Sequence, residues 1–561
     1  MSYHRAPHAH PLALTLLLAT VLPGALAQTP PDAGVLQQQI ERELRQPLPP
    51  QQALPRLMPP EAMKPSGVTL TVREFRFTGN TLLSSDQLRL AVADYLDRPL
   101  DFSQLQAAAA AVANAYREAG WIVRAYLPRQ DVKDGMVTIQ IVEAVFGKLM
   151  LQGEATRVPS AVIEERFAVR QASGQPLNAN VLDRALLLAD DLPGASVAGT
   201  LRPGAREGET DLLLKLADEP LVTGDIGVDN TGARSTGEER LTANFALASP
   251  MKLGDQLSTN LIHSEGSDYL RASYSLPLGA DGWRAGINAS WLGYELVAPE
   301  FKALRAEGES TSFGLDASYP LIRARLRNLY FNVALDRKDF DNRSAAGTTS
   351  RYAMNDFTLG LSGNLFDNIG GGGANGASLA LVLGDVELGA PDSSENAELE
   401  GRFAKVRASL SRQQIIAQDV SLYAAWSGQW TDGDLDSSEK FYLGGIGGVR
   451  AYPANEGGGA RGQLLNVELR WKLAQGLSAT LFRDWGRVRQ NVDNAVPAAG
   501  PNRYSLKGHG LSLAWQAESG FNLKATWARR EGDNPNPTAT GRDQDGSLDK
   551  NRVWLSASLP F

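Results

Sequence analysis

Residues 465–473 read LNVELRWKL. Leucine, valine, leucine, tryptophan and leucine hold the odd positions, and asparagine, glutamate, arginine and lysine hold the even ones. A period of two sends these sets to opposite faces of a strand, one apolar and one charged. Lipid outside and a hydrated lumen inside would suit both faces. A soluble sandwich also alternates, so the surroundings of the stretch decide between the two.

Working outward, the same dyad recurs. Leu241, Ala243, Phe245 and Leu247 alternate with Thr242, Asn244 and Ala246, and Leu270, Ala272, Tyr274 and Leu276 alternate with Tyr269, Arg271, Ser273 and Ser275. It returns at Val406, Ala408 and Leu410 against Lys405, Arg407 and Ser409, and at Phe521, Leu523, Ala525 and Trp527 against Asn522, Lys524 and Thr526. The last run is Val553, Leu555, Ala557, Leu559 and Phe561. Segments of about ten residues joined by turns, with Trp or Tyr near their ends, are what a transmembrane β-barrel requires. In a sandwich, a last strand that runs to Phe561 would leave an open edge, whereas closure pairs it. A barrel over residues 221–561 is the expectation.

Upstream the period changes. Residues 68–79 alternate as a strand, 84–96 and 101–120 read as helices, and 121–144 read as two strands around Asp134-Gly135. The order then repeats: strand 146–153, helices 159–171 and 178–192, and a hairpin over 195–220. Two copies of one β-α-α-β-β plan are an internal repeat, divided here as 67–144 and 145–220. Before them, residues 28–66 are rich in Pro and Gln. Leu36, Ile40 and Leu44 would form one stripe of a helix, followed by a proline-rich extended tether; a disordered leader is the other reading of this segment. Residues 1–27 combine Arg5, a short apolar core and Ala25-Leu26-Ala27, the pattern of a secretory signal rather than an anchor. No later run is long enough to span a membrane as a helix.

The 561 residues carry a net charge of −8, which argues against nucleic acid as a partner, and contain no cysteine, which removes disulfides and thiol chemistry. His4, His8 and His10 fall in the leader and leave His263 and His509 far apart in sequence. With no nucleophile motif and no metal-ligand spacing, neither an enzyme nor a cofactor or metal is expected.

Residues 444–453, GGIGGVRAYP, are glycine-rich yet have no helix after them, so they are not a phosphate loop. These residues, with FRDWG at 482–486, residues 126–144 (YLPRQDVKDGMVTIQIVEA), 191–216 and DNTGARSTGEERL at 229–241, resemble the outer-membrane transporters of two-partner secretion, the TpsB type (ShlB/FhaC/HecB-like) of the BamA superfamily. The resemblance runs in order from about residue 30 to 561. It implies a sixteen-stranded antiparallel barrel, two periplasmic POTRA domains and an N-terminal plug helix that can leave the pore. It also implies an unfolded TpsA-type exoprotein (adhesin, haemolysin or toxin) as cargo, outer-membrane lipid as surroundings, and the barrel-assembly machinery and periplasmic chaperones for biogenesis.

The resemblance assigns a loop motif to Val449, Arg450 and Tyr452 and a barrel-wall motif to Phe482, Asp484 and Gly486. Here Ala451 stands where the family commonly has glycine, which a backbone of negative φ would tolerate. The loop from Thr431 to Gly462 is long enough to fold inward: nineteen residues can reach about 60 Å, against an apolar band about 25 Å tall. Parity makes the implied partner possible, because Ser478, Thr480, Phe482, Asp484 and Gly486 share the inward face. Arg483 falls outward, where a long cation reaches an interface. A charge-assisted pair of Arg450 with Asp484, worth about 1.5–3 kcal/mol, could latch the loop for transport or merely stiffen the barrel. Tyr126, Leu127 and Gln130 match the family's POTRA motif and are candidates for cargo binding, with plain packing as the alternative. A barrel-assembly insertase, which would carry more POTRA repeats and no plug, is the competing function; a simple porin would lack the repeats.

Overall fold

The computed structural model describes residues 30–44, 69–389, 400–493 and 500–561. The expected signal segment and most of the proline-rich tether lie outside these residues. Helix α1 (Ala33–Leu44) comes first. The first αβ unit contains β1 (Leu70–Thr71), β2 (Glu74–Thr78), α2 (Ser85–Ala91), β3 (Pro99–Leu100), α3 (Phe102–Glu118), β4 (Val123–Tyr126) and β5 (Met136–Glu143). The second contains β6 (Val145–Gln152), α4 (Ser160–Ala168), α5 (Ala179–Asp190), β7 (Ala195–Pro203) and β8 (Glu209–Asp218). Their three-stranded sheets run β2-β5-β4 and β6-β8-β7, so each sheet pairs its first strand parallel to its last, while β1 and β3 form a separate antiparallel pair.

Local chemistry sets these elements. Ser84 with Gln87, and Asp101 with Gln104, close capping boxes on α2 and α3, satisfying donors at the first turn. The helix expected over 84–96 is shorter: Val92 turns into the core, Ala93–Tyr95 tighten to a 3-10 turn, and Asp97 has φ 56°. Nor is 121–144 a simple hairpin. Asp134 and Gly135 both take positive φ in a tight turn, but the residues between Tyr126 and that turn are irregular.

The barrel opens with β9 (Val222–Asp229), β10 (Arg240–Ala248), β11 (Gln256–Ser264) and β12 (Ser267–Leu278). It continues through β13 (Trp283–Glu295), β14 (Glu307–Arg323), β15 (Arg327–Ser344), β16 (Gly347–Asp367), β17 (Gly373–Leu388) and β18 (Gly401–Ala417). It ends with β19 (Val420–Thr431), β20 (Arg461–Ala474), β21 (Leu477–Arg489), β22 (Arg503–Gln516), β23 (Asn522–Arg530) and β24 (Asn551–Pro560). These sixteen strands form one closed antiparallel sheet in which β24 pairs with β9. Several exceed the expected ten residues; β16 has 21, enough to carry the wall beyond the hydrocarbon layer.

Alternation sorts the two surfaces as its period requires. Leu465, Leu469, Trp471, Leu481 and Leu513 are exposed on the outer face, while Asn466, Glu468 and Asp484 turn inward. Water would penalise so continuous an apolar surface at about 25 cal/mol per Å², and lipid removes that penalty. Trp283, Trp471 and Trp515 lie outward near the strand ends on the αβ side, and Trp291 and Trp430 toward the other end. No helix among the described residues is long and apolar enough to cross a membrane.

The second αβ unit is pinned beneath the barrel by ion pairs. Arg323 reaches Asp191 at 2.7 Å, Arg325 reaches Asp183 at 2.8 Å and Arg170 reaches Asp281 at 2.6 Å. Helix α1 lies inside the lumen. Leu36 and Ile40 bury their stripe against Tyr269, Tyr294, Phe340 and Tyr352 of the inner wall, and Ala33 N–H donates to Asn342 Oδ1 at 2.9 Å.

Candidate functional site

Between β19 and β20 the chain folds back into the barrel. Arg450, at the inner reach of this loop, is 6% exposed, and Asp484 of β21 is fully buried. The guanidinium donates from Nε to Asp484 Oδ2 at 2.9 Å and from Nη2 to Oδ1 at 2.7 Å, while Nη1 reaches Glu468 Oε1 at 2.8 Å. The backbone N–H of Arg450 adds a bond to Asp484 Oδ2 at 3.0 Å, and Asn466 Nδ2 donates both to Asp484 Oδ1 and to Gly448 O. Below the guanidinium lies the Phe482 ring, 3.6 Å from Cζ to centroid, and Trp554 Nε1 donates to Arg450 O at 2.8 Å. Every polar atom of the carboxylate is thus used, which is what allows a charge pair to be buried.

The remaining motif residues complete the seat. Val449, Ala451 and Tyr452 pack with Leu443, Leu464, Val488 and Leu506 in one apolar cluster that takes Phe482 from the wall. Tyr452 lies under Arg530, whose Cζ is 4.8 Å from the ring centroid. Gly486 faces Leu443 so closely that a Cβ there would come within 2.7 Å of Leu443 Cδ2. Ala451, in the position of the family's glycine, keeps negative φ, and its methyl points at Gly508, where a Cβ would stand 2.6 Å away. A glycine on the wall therefore makes the room that the loop's extra methyl fills.

A second anchor holds the loop's outer part, and the sequence reading missed it. Glu439 bonds Lys338 Nζ at 2.7 Å and pairs with Lys405, while Lys338 also reaches Asp356 at 3.0 Å. Lys405 Nζ and Gln429 Nε2 both donate to Glu439 O, each at 2.9 Å. The inward parity of Lys405 was legible; Glu439 lies outside any periodic pattern, so nothing marked its register. Glu468 and Asn466 were legible as inward residues of the opening stretch, but not as partners of Arg450.

Plug and loop also touch. Ser437 Oγ donates to Asp32 at 2.9 Å, Gln38 Nε2 to Lys440 O at 2.7 Å, and Arg42 to Tyr442 O at 2.7 Å and Gly447 O at 3.0 Å. On its other side the helix is tied to the wall by Arg240 Nη1 and Glu43 Oε2 at 2.8 Å.

The three POTRA candidates occupy one corner of the first αβ unit and differ in use. Leu127 packs against its core. Gln130 is spent on the backbone of Thr138, donating to its O at 2.8 Å and accepting from its N–H at 2.7 Å. Tyr126 is half-buried with Arg124 over its ring. Glu143, which lies in the 126–144 stretch but was not singled out, accepts from Thr81, Leu82 N–H at 2.8 Å and Tyr116 OH at 2.8 Å. Burial pushes its carboxyl up, but these donors outweigh burial and hold it below the usual value.

The chain matches the family described as "Haemolysin secretion/activation protein ShlB/FhaC/HecB" over residues 208–513, and the ShlB-type POTRA domain over residues 70–144. It is 25% identical over 501 residues to the heme/hemopexin transporter protein HuxB of Haemophilus influenzae, covering 86% of this chain and 85% of that protein. To the outer membrane transporter CdiB of Dickeya dadantii it is 26% identical over 423 residues, 73% of this chain and 74% of that one. Its fold is that of CdiB from Escherichia coli, with a TM-score of 0.71 at 21% identity, covering 94% of this chain and 98% of that structure.

Proposed function

Since the chain belongs to the ShlB/FhaC/HecB family of haemolysin secretion/activation proteins, we propose that it is an outer-membrane pore that receives an unfolded partner exoprotein at its periplasmic POTRA units and delivers it to the cell surface. The observation that carries this reading is a closed sixteen-stranded barrel whose lumen is occupied by two pieces of the same chain, α1 and the loop bearing Arg450. Neither piece is part of the wall. Both can therefore move while the wall stays closed, which is what a gated conduit needs.

In this reading Val449, Arg450 and Tyr452 form a latch on Phe482, Asp484 and Gly486, and Tyr126 is the POTRA candidate best placed to touch cargo. Transport needs no catalysed bond change and no cofactor. Delivery of the unfolded barrel by periplasmic chaperones and the barrel-assembly machinery is part of the same reading, since sixteen strands must enter the membrane together. The cargo's own folding outside the cell supplies direction: about 5–15 kcal/mol for each hundred residues folded would oppose its return.

The latch is tested by Arg450→Ala and Asp484→Asn. Either leaves a buried charge or its partners unmatched, at about 3–5 kcal/mol. Secretion of the partner is expected to fall to background while the barrel remains inserted, as scored by its heat-modifiable migration. Normal secretion from either strain would overturn the latch, and a general loss of other outer-membrane barrels would favour the insertase.

A further inference from the structure

The outer surface of the barrel, above its apolar band, is electrically lopsided. Because β9 leaves the second αβ unit upward, the ends Thr431, Arg489 and Arg530 and the starts Arg461 and Arg503 lie on the far, cell-surface side. Outward parity, fixed by Leu481, Leu511 and Trp527, then continues upward through Arg483, Arg487, Lys507 and Arg529. In the top row, Arg461 is directly registered with Arg489, and Arg489 with Arg503. Like charges directly opposite on neighbouring strands repel, so a row of three guanidinium groups favours an anion between them.

Among the described residues that row has no carboxylate partner: Arg461 donates to Thr431 O at 2.5 Å and Arg489 to Asn491 O at 2.9 Å, which places carbonyl dipoles but no opposite charge beside them. Glu531 is shared by Arg483 at 2.9 Å and His509 at 3.2 Å. Arg487, Arg503, Lys507 and Arg529 have no ion pair among the described residues, and the adjoining loop, 490–502, carries a single acid, Asp493. The opposite arc behaves differently. There Arg343 and Arg351 both sit on Asp341, Arg337 reaches Asp339 at 3.3 Å, and Glu295, Glu307 and Glu309 add further acid. The cations of this arc also enclose a space. Arg461, Arg487, Arg489 and Arg503 rim a shallow depression of about 260 Å³ beside Trp430.

We infer that the outward arc of β20–β23 is a binding site for a phosphate-bearing lipid headgroup of the outer leaflet. Guanidinium forks match phosphate oxygens bidentately, and basic clusters at a membrane surface select anionic lipids. The position adds to this: the cations stand directly above lipid-facing Leu481, Leu511 and Trp527, so a headgroup held by the arginines would lay its acyl chains on the apolar band. The inference rests on the outer-membrane placement of the barrel and not on the latch.

The test uses the full chain in detergent, titrated with diphosphoryl lipid A, with its monophosphoryl form and with phosphatidylethanolamine, and read by native mass spectrometry. Saturable binding that weakens in that order is expected, and Arg487→Gln with Arg503→Gln should lower diphosphoryl affinity at least tenfold. Arg337→Gln with Arg343→Gln on the opposite arc should leave it unchanged, and heat-modifiable migration verifies that each variant is folded. Undiminished binding by the first double variant, equal weakening by the second, or displacement of the lipid by equimolar inorganic phosphate would each overturn the site. Binding in detergent is independent of secretion, so this site and the proposed pore can fail separately.

Discussion

At the scale of residues, the seat of Arg450 combines electrostatics with space. Its guanidinium has donors for two acids and a flat face for Phe482; lysine could supply the charge but not the fork or the stacking. The contact between Ala451 and Gly508 gives a clean test of space. Gly508→Ala puts a methyl about 2.6 Å from the Ala451 methyl, and overpacking of this kind costs about 1–3 kcal/mol. The expected result is a loop more easily cut by protease and reduced secretion, with both restored when Ala451→Gly is added. If the double variant were no better than Gly508→Ala alone, the two positions would not be sharing one space.

At the scale of elements, two segments invite measurement. Helix α1 lies so close to the loop that a Cβ at Gly34 would be 3.1 Å from Ser438 Cβ and 2.7 Å from Ser437 Oγ, tighter than the roughly 3.5–4.5 Å of a disulfide, so a cross-link there forms once the two segments ease apart by a few tenths of an ångström. The chain has no cysteine of its own. Gly34→Cys with Ser438→Cys should therefore cross-link under oxidation, block secretion, and recover with reductant; secretion at full rate while cross-linked would mean that plug and loop need not part. In the first αβ unit, Glu143 ties the β2–α2 connection to α3 through Thr81, Leu82 and Tyr116. Its folded pKa is depressed, so its contribution is complete above the unfolded value and is lost as pH falls through the folded one. Glu143→Ala would leave the buried Tyr116 O–H without its acceptor, at about 1–3 kcal/mol, though Leu83 still bonds the hydroxyl oxygen. Limited proteolysis of the full chain should cut this unit faster in the variant at pH 7, with the difference shrinking toward pH 3.

At the scale of the molecule, the barrel closes through a short seam. Strands β24 and β9 share five registered pairs, from Ser556↔Asp229 to Pro560↔Asp225, against eight between β23 and β24. A pore that conducts through its lumen has no need to open this seam, whereas an insertase that releases barrels sideways does. Gly227 and Ser558 are directly registered there, and a Cβ on Gly227 would stand 3.4 Å from Ser558 Cβ. Gly227→Cys with Ser558→Cys should lock the seam and leave secretion within about twofold of normal, compared with and without reductant. Arrest that reductant relieves would show that the wall itself must part.

Periodicity is a local property, and it carried the architecture. The alternation at 465–473 assigned Asn466 and Glu468 to the lumen, the change of period near residue 220 divided the αβ units from the barrel, and parity alone put Asp484 inward and Arg483 outward. Resemblance, not pattern, linked Arg450 to Asp484. The tertiary structure decided what lies between elements distant in sequence: Glu439 between Lys338 and Lys405, Gly508 beneath Ala451, α1 against the inner wall, and arginines of separate strands brought into one row. A strand's side-chain direction follows from its own pleat, whereas the meeting of an irregular loop with a wall depends on register, curvature and lumen width, which only the closed barrel sets.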